Sequence, residues 1–332
     1  MKTQNCTAHI SGAGSYLPPN RVYSEELMRD AQSESVGISY NLLERSTGIV
    51  ERRFSEPSES YAYLATEASR SAIIDAKIDP ADIDMVIFCG IDNDYPEPST
   101  AHEIQRAVGA KNAICFDMSN ACLGLLNGLS VADSYVSCGT AEAVLVCTGE
   151  RPSDVSRDIL RQLKEGKTKE KFRRLMGAFT VGDAGGAFII TKSGTGPRLQ
   201  KMRFHTDSEM LNLCFYRRTE THIEFEMEME TLGRAMITGH KLLMDDTYTA
   251  LGWQPGEVDR LFTHQVGARP HRHISTMAHI DVGRAPKTYD LYGNLTSATF
   301  AVNYDLHRPA PNEKILFLGA GSGCSICQIG VQ

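Results

Sequence analysis

The sequence predicts an α/β fold made of two similar αβ halves, and three observations carry that prediction. Apolar runs of strand length, Met85–Gly90, Glu142–Gly149 and Glu313–Ala320, alternate with longer segments whose apolar residues recur at helical spacing. Runs of this kind, bounded by turn residues, are typical of strands covered on both faces. The second half also repeats the first in residue type and order. Pro255-Gly256-Glu257-Val258-Asp259 stands 175 residues after Pro80-Ala81-Asp82-Ile83-Asp84, Tyr289-Asp290-Leu291 stands 173 after Phe116-Asp117-Met118, and EKILFLGA stands 171 after EAVLVCTG. Three ordered matches with a slowly drifting offset mark a duplicated unit, each copy with a mostly parallel sheet and helices that can pack together in the middle. The halves are drawn at 1–190 and 191–332, with a helical basic insertion at 151–175, and 332 residues supply an ample core.

Taken in order, Ala8–Ser15 reads as a strand and Gly-rich turn, and Tyr23–Gln32 as a short helix entered from Ser24. Ser46-Thr47-Gly48-Ile49 turns into a charged edge at Glu51-Arg52-Arg53, and Ser60–Ala76 is a helix whose pattern stops before Pro80. The insertion holds nine Lys or Arg against four Asp or Glu from Arg151 to Arg174, which fits a solvated helix pair or a basic rim for an anionic partner. His222–Glu230 alternates apolar and acidic residues with period two, an amphipathic strand entering the helix Leu232–Leu251.

Composition narrows the function. Apolar residues make up 42% and charged residues 23%, as in soluble globular chains. A net charge of −7 argues against a nucleic-acid binder. The start, MKTQNCTAHISGAG, lacks the apolar core of a signal peptide, and no run reaches membrane-spanning length. Nine cysteines, odd in number and mostly within apolar runs, fit reduced thiols in a cytoplasm. Cys324-Ser325-Ile326-Cys327 follows a Gly-rich turn and heads into a strand, and His271-Arg272-His273 starts a helix after Pro270, so neither reads as a metal or redox site.

The chemistry centres on Phe116–Leu129, FDMSNACLGLLNGL, where an extended segment passes through a small-residue turn into an apolar helix. Cys122 sits at the first turn, where unpaired N–H groups and the helix dipole favour a thiolate and lower the thiol pKa; the plainer alternative is a small buried apolar residue. By the repeat, His264 ends the strand equivalent to Val86–Gly90, and Asn294 falls in register with Ala121, next to Cys122. Ligands gather at the carboxyl ends of strands in open α/β sheets, so the three residues converge on one place. A thiolate nucleophile with imidazole and amide donors suits acyl transfer from a thioester.

FDMSNACLGLLNG, LFTHQVGARP and YGNLTSAT resemble the nucleophile, histidine and asparagine motifs of β-ketoacyl-carrier-protein synthase III and its thiolase-superfamily relatives, over essentially the whole chain. The resemblance implies a five-layered αβαβα thiolase fold, a homodimer, and Cys122, His264 and Asn294 as the catalytic triad. The N-terminal half then carries the nucleophile, and the C-terminal half the histidine and asparagine. It also implies an oxyanion hole formed by the N–H groups of Cys122 and Ser322. Glu97-Pro98-Ser99-Thr100-Ala101 is similar to the EPSTA motif of the subgroup that joins two acyl thioesters without decarboxylation, in olefin biosynthesis and α-pyrone formation. There a glutamate crosses the dimer interface to remove a Cα proton, a step needed when no CO₂ departs; otherwise Glu97 is a loop carboxylate.

Two departures, Leu42 where CoA-using relatives carry tryptophan and Gly267 where asparagine is usual, leave room for a carrier protein. Arg269 and Arg272 are placed to meet carrier-protein acids or CoA phosphates. The substrates implied are phosphopantetheine-linked thioesters, with no metal or other cofactor. The alternatives are decarboxylative initiation of fatty-acid or polyketide synthesis and acyl transfer to an alcohol or amine. Met85, Phe88 and Leu123 are candidates for setting acyl-chain length.

Overall fold

The computed structural model describes residues 3–332, and its frame is a pair of five-stranded sheets. The first runs, in spatial order, His9–Tyr16, Ala184–Thr191, Ala143–Glu150, Met85–Phe88 and Ile114–Asp117. The second runs Thr3–Asn5, Leu199–Thr206, Ser325–Val331, Ile315–Gly321 and Arg260–Thr263. Four strands of one sheet thus have counterparts in the other, in the order that the repeat requires.

Both sheets are mixed, which corrects the expectation of mostly parallel ones. Among the described strands only Ala143–Glu150 with Met85–Phe88, Met85–Phe88 with Ile114–Asp117, and Arg260–Thr263 with Ile315–Gly321 pair in parallel. The second sheet turns back on itself through Ser322-Gly323-Cys324, too short a link for anything but an antiparallel hairpin. Tyr289-Asp290-Leu291 forms a one-turn helix, Tyr289–Tyr292, rather than a second edge strand. Thr3–Asn5 fills the fifth place at the opposite edge.

Helices interleave with the sheets in five layers. Tyr61–Ala76 and Thr100–Val108 cover the outer face of the first sheet, and Met229–Leu251 and Ala268–Met277 that of the second. Gly124–Ser137 and Thr299–Leu306 lie between the sheets, where Leu125, Leu126, Leu129, Phe300 and Tyr304 are buried in one shared core. The outer helix Tyr61–Ala76 rests directly on sheet glycines: a Cβ at Gly185 would lie 1.9 Å from Leu64 O, and one at Gly149 2.0 Å from Tyr61 O. Gly185→Ala is therefore expected to destabilise the fold by about 3 kcal/mol or more, because the helix backbone itself would have to move. Gly256→Ala, where a Cβ meets nothing within 4 Å, is the control; equal urea midpoints for the two variants would refute the close-packing argument.

The insertion forms the expected helix pair, Ser153–Glu165 and Lys169–Leu175, but as a packed cap rather than a solvated arm. Val155, Ile159, Leu163 and Phe172 are buried against Leu27, Met28 and Phe179. Much of its positive charge is met locally: Arg157 pairs with Asp154 at 3.2 Å, Arg161 with Asp158 and Glu165 at 2.5 and 2.9 Å, and Arg174 with Glu226 at 3.8 Å. Glu51-Arg52-Arg53 is likewise not a charged edge. Arg52 is fully buried and donates to Ser24 Oγ at 2.9 Å and Phe179 O at 2.8 Å.

Candidate active site

The turn that carries Cys122 is set by close backbone packing. Ala121 adopts a left-handed conformation (φ 45°), which swings the chain out of Ile114–Asp117 and into the central helix. That helix begins at Gly124 with Leu123 as its N-cap, so Cys122 lies one residue outside it. A Cβ at Gly124 would stand 2.4 Å from Cys89 O, so glycine lets the helix start sit on the end of Met85–Phe88. The expected lowering of the thiol pKa does not occur. Burial pushes the Cys122 thiol up, Cys214 and Glu150 act in the same direction, and only its own N–H opposes them. Cys122 rests as a thiol.

From the other half, Asn294 is held by the chain on both sides. Its N–H donates to Thr180 O at 2.9 Å, its carbonyl accepts from Gly182 N at 3.0 Å, and its Oδ1 accepts from Thr296 N at 2.9 Å. The side-chain amide N–H₂ is the end left for a substrate. His264 follows Arg260–Thr263, and its N–H donates to Leu318 O at 3.1 Å. Burial pulls its pKa down to about 4, so the ring is neutral, and Nδ1 is buried with no partner among the described residues. The hairpin turn carrying Ser322 is pressed onto the turn that carries Cys122: a Cβ at Gly321 would lie 3.1 Å from Leu123 N and 3.3 Å from Asn120 O.

Cys122, Asn294 and Ser322 stand on the wall of one cavity of about 710 Å³. His264 is not among the residues on its wall; it is half-buried at the strand end, with Nδ1 turned inward. The opposite wall comes from a separate two-stranded hairpin, Cys214–Arg218 and Ile223–Met227, through Phe215, Tyr216, Phe225 and Met227. Met85, Phe88 and Leu123 are closed core residues off the cavity wall, so the structure does not place them where they could set chain length.

The sequence reading missed Glu150. It ends the strand Ala143–Glu150, lines the cavity with Cys122, and is 2% exposed. Its Oε1 accepts from Thr148 Oγ1 at 2.7 Å, from Ile91 N at 3.3 Å and from Ser297 Oγ. Burial pushes its pKa up to about 7 against those donors. The available signal was its position at the carboxyl end of a central strand.

Glu97 is exposed in the loop before Thr100–Val108 and does not line the cavity of its own chain. That loop is tied to the sheet edge, since Asp117 accepts from Thr100 N at 2.7 Å and Ala101 N at 2.9 Å. Leu42, Gly267, Arg269 and Arg272 also lie off the cavity wall, but they gather in one place. A Cβ at Gly267 would be 2.8 Å from Thr47 O, and one at Gly48 would be 3.0 Å from Ala268 Cβ, so the helix Leu42–Thr47 packs on the segment after His264. Arg269 and Arg272 project from there as exposed side chains. His271 is structural, its Nε2 lying 3.0 Å from Ala285 O, and Cys324 and Cys327 are buried free thiols.

Comparison with known proteins agrees with this geometry. The profile of 3-oxoacyl-[acyl-carrier-protein (ACP)] synthase III matches residues 116–208, and that of its C-terminal part matches 249–331. An acyl-CoA:acyl-CoA alkyltransferase of Xanthomonas campestris is 28% identical, over 96% of this chain and 97% of its own. A β-ketoacyl-[acyl-carrier-protein] synthase III of Bordetella petrii is 26% identical, over 97% of both chains. The structure of a histidine variant of Xanthomonas campestris OleA superposes with a TM-score of 0.91 at 26% identity, covering 99% of this chain and 98% of that one. In OleA the substituted cysteine and histidine are 142 positions apart, the separation of Cys122 and His264, and the substituted glutamate precedes that cysteine by 26, against 25 for Glu97 here. No helix among the described residues is long and apolar enough to cross a membrane. With its two halves, its cavity cysteine and these full-length matches, the chain belongs to the 3-oxoacyl-[acyl-carrier-protein] synthase III family and is a condensing enzyme of the thiolase fold.

Proposed function

We propose that the enzyme joins two acyl thioesters, or an acyl and a β-ketoacyl thioester, by a Claisen condensation that involves no decarboxylation. The observation that carries this reading is the shared cavity, which sets Cys122 beside Asn294 and Ser322 with room for acyl chains. Cys122 is acylated by the first thioester, with the N–H groups of Cys122 and Ser322 as oxyanion donors. Glu97 of a second copy removes a Cα proton from the second thioester, and the carbanion attacks acyl-Cys122. Asn294, on the cavity wall, donates to the enolate oxygen; His264, neutral at physiological pH, is the second donor only if the loaded site brings its ring to the same oxygen. The product is a β-keto compound, which closes to an α-pyrone when the acceptor already carries a 3-keto group.

The homodimer is supported by the strand Ile114–Asp117, an edge strand with one partner and an exposed Ile114. Asp117 in that strand holds the Glu97 loop, so a copy paired along this edge would receive Glu97 near its own site. Leu42, Gly267, Arg269 and Arg272 form the candidate entrance for the phosphopantetheine arm of CoA or a carrier protein. The reaction calls for no metal or redox cofactor, and we place the enzyme in the cytoplasm. Product analysis with paired acyl and malonyl thioesters tests the reading. Condensed product from two non-malonyl thioesters is expected. Product formed only with a malonyl partner, with release of CO₂, would make the enzyme a decarboxylating synthase, and esters or amides would make it a simple acyltransferase.

A further inference from the structure

The thiol of Cys122 needs a proton acceptor at the moment it attacks, and the residues considered so far supply none. His264 is held neutral by burial, with little basicity, and is not on the cavity wall. Asp92, the other carboxylate on the wall, is paired with Arg218 at 2.5 Å. Glu150 differs from both. It is buried and has no salt-bridge partner among the described residues, since the adjacent Arg151 donates to Ser55 Oγ at 3.2 Å and Asp154 at 3.4 Å instead.

A buried carboxyl left without a cation costs several kcal/mol if charged, so it is an expensive feature for a merely structural position. Thr148, Ile91 and Ser297 donate to Oε1, Thr296 also favours the charged carboxyl, and no hydrogen bond to Oε2 is made among the described residues. The first oxygen anchors the group while the second remains for the cavity. We propose that Glu150 is the general base for acylation, accepting the Cys122 proton as the thiol attacks the first thioester.

The step balances within the site. The S–H bond of Cys122 breaks as an O–H bond forms on Glu150, directly or through one water. The new S–C bond to the acyl carbon forms as the thioester C–S bond breaks, and Glu150 returns its proton to the departing thiolate, which leaves as free thiol. The assignment rests on Cys122 being the acylated residue. A carboxyl titrating at about 7 suits a base working near neutral pH. The titratable groups that feel its charge are Cys89, Cys122 and Tyr216. The cavity adds Tyr61, Asp92, Arg151, Cys214 and Arg218 across the wall.

The test is the rate of acyl-adduct formation, followed by intact mass with hexanoyl-CoA between pH 5.5 and 9. For the wild type the rate should rise through about pH 7 and level off as Glu150 ionises. Glu150→Gln should be on the order of 10²-fold slower near pH 7.5 and lose that inflection. Its melting temperature at pH 8 should match or exceed that of the wild type, because a buried charge has gone. Ser297→Ala, which removes one donor to the ionised carboxylate, should keep acylation but move the inflection to higher pH. A Glu150→Gln variant that acylates at the wild-type rate, or slows with its pH profile unchanged, overturns the assignment and leaves the condensation reading standing. An unmoved inflection in Ser297→Ala also counts against it. If the wild type itself takes up no acyl group, the Cys122 reading falls and this one with it.

Discussion

Replacing Cys122 by serine is expected to reduce acyl-enzyme formation by on the order of 10⁴-fold or more, leaving no adduct detectable by intact mass. A hydroxyl is a far weaker acid than a thiol, and the site offers no base strong enough to ionise it. The fold should be unaffected, since Cys122 is half-buried and serine is nearly isosteric. Adduct formation is a better readout than general alkylation. Iodoacetamide is expected to mark Cys138 before Cys122, because Cys138 is exposed and its hydrogen bonds with Thr140 draw its thiol pKa down. Cys122, half-buried and held as a thiol, should alkylate later. An acyl adduct on Cys122→Ser, or one mapping to another cysteine in the wild type, would move the nucleophile elsewhere.

Glu97→Gln should divide the two half-reactions. Glutamine keeps the size and reach of the side chain but cannot accept a proton, so Cys122 should acylate normally. Condensation of two non-malonyl thioesters should fall by roughly 10²–10⁴-fold, the usual worth of a positioned base. A malonyl acceptor should rescue the variant, because loss of CO₂ generates the carbanion without a base. Glu97 does not line the cavity of its own chain, so mixing Glu97→Gln with Cys122→Ser protomers should restore activity that neither has alone. Condensation by Glu97→Gln at the wild-type rate, or mixed protomers that stay inactive, would return Glu97 to a loop carboxylate.

The repeat made the paired order of the strands legible, and with it the positions of Cys122 and Asn294, because equivalent strand ends of two copies face one another. What it could not show was strand direction. Val144 and Ile190 sit opposite each other in an antiparallel pair, Val86 and Leu145 in a parallel one, and all four are equally buried apolar residues. The thiol of Cys122 was misjudged for a related reason. A helix start is visible in sequence, but the burial that outweighs it comes from residues far along the chain. Glu150 escaped notice because a glutamate after an apolar run looks like an ordinary strand end until Ser297, 147 positions later, closes over it.

The hairpin Cys214–Met227 forms its own two-stranded sheet and shares no ladder with the frame that holds Cys122. Chemistry and substrate wall are therefore written in separable stretches of chain, and selection can act on them separately. Substitutions at Phe215, Tyr216, Phe225 or Met227 reshape the space offered to an acyl chain without disturbing a strand that carries the nucleophile, the amide or the carboxyl. A lineage with this architecture can diversify its products by drift in the hairpin's cavity-facing residues other than Cys214, whose Sγ accepts from Ser322 Oγ at 3.3 Å, while its reaction stays fixed.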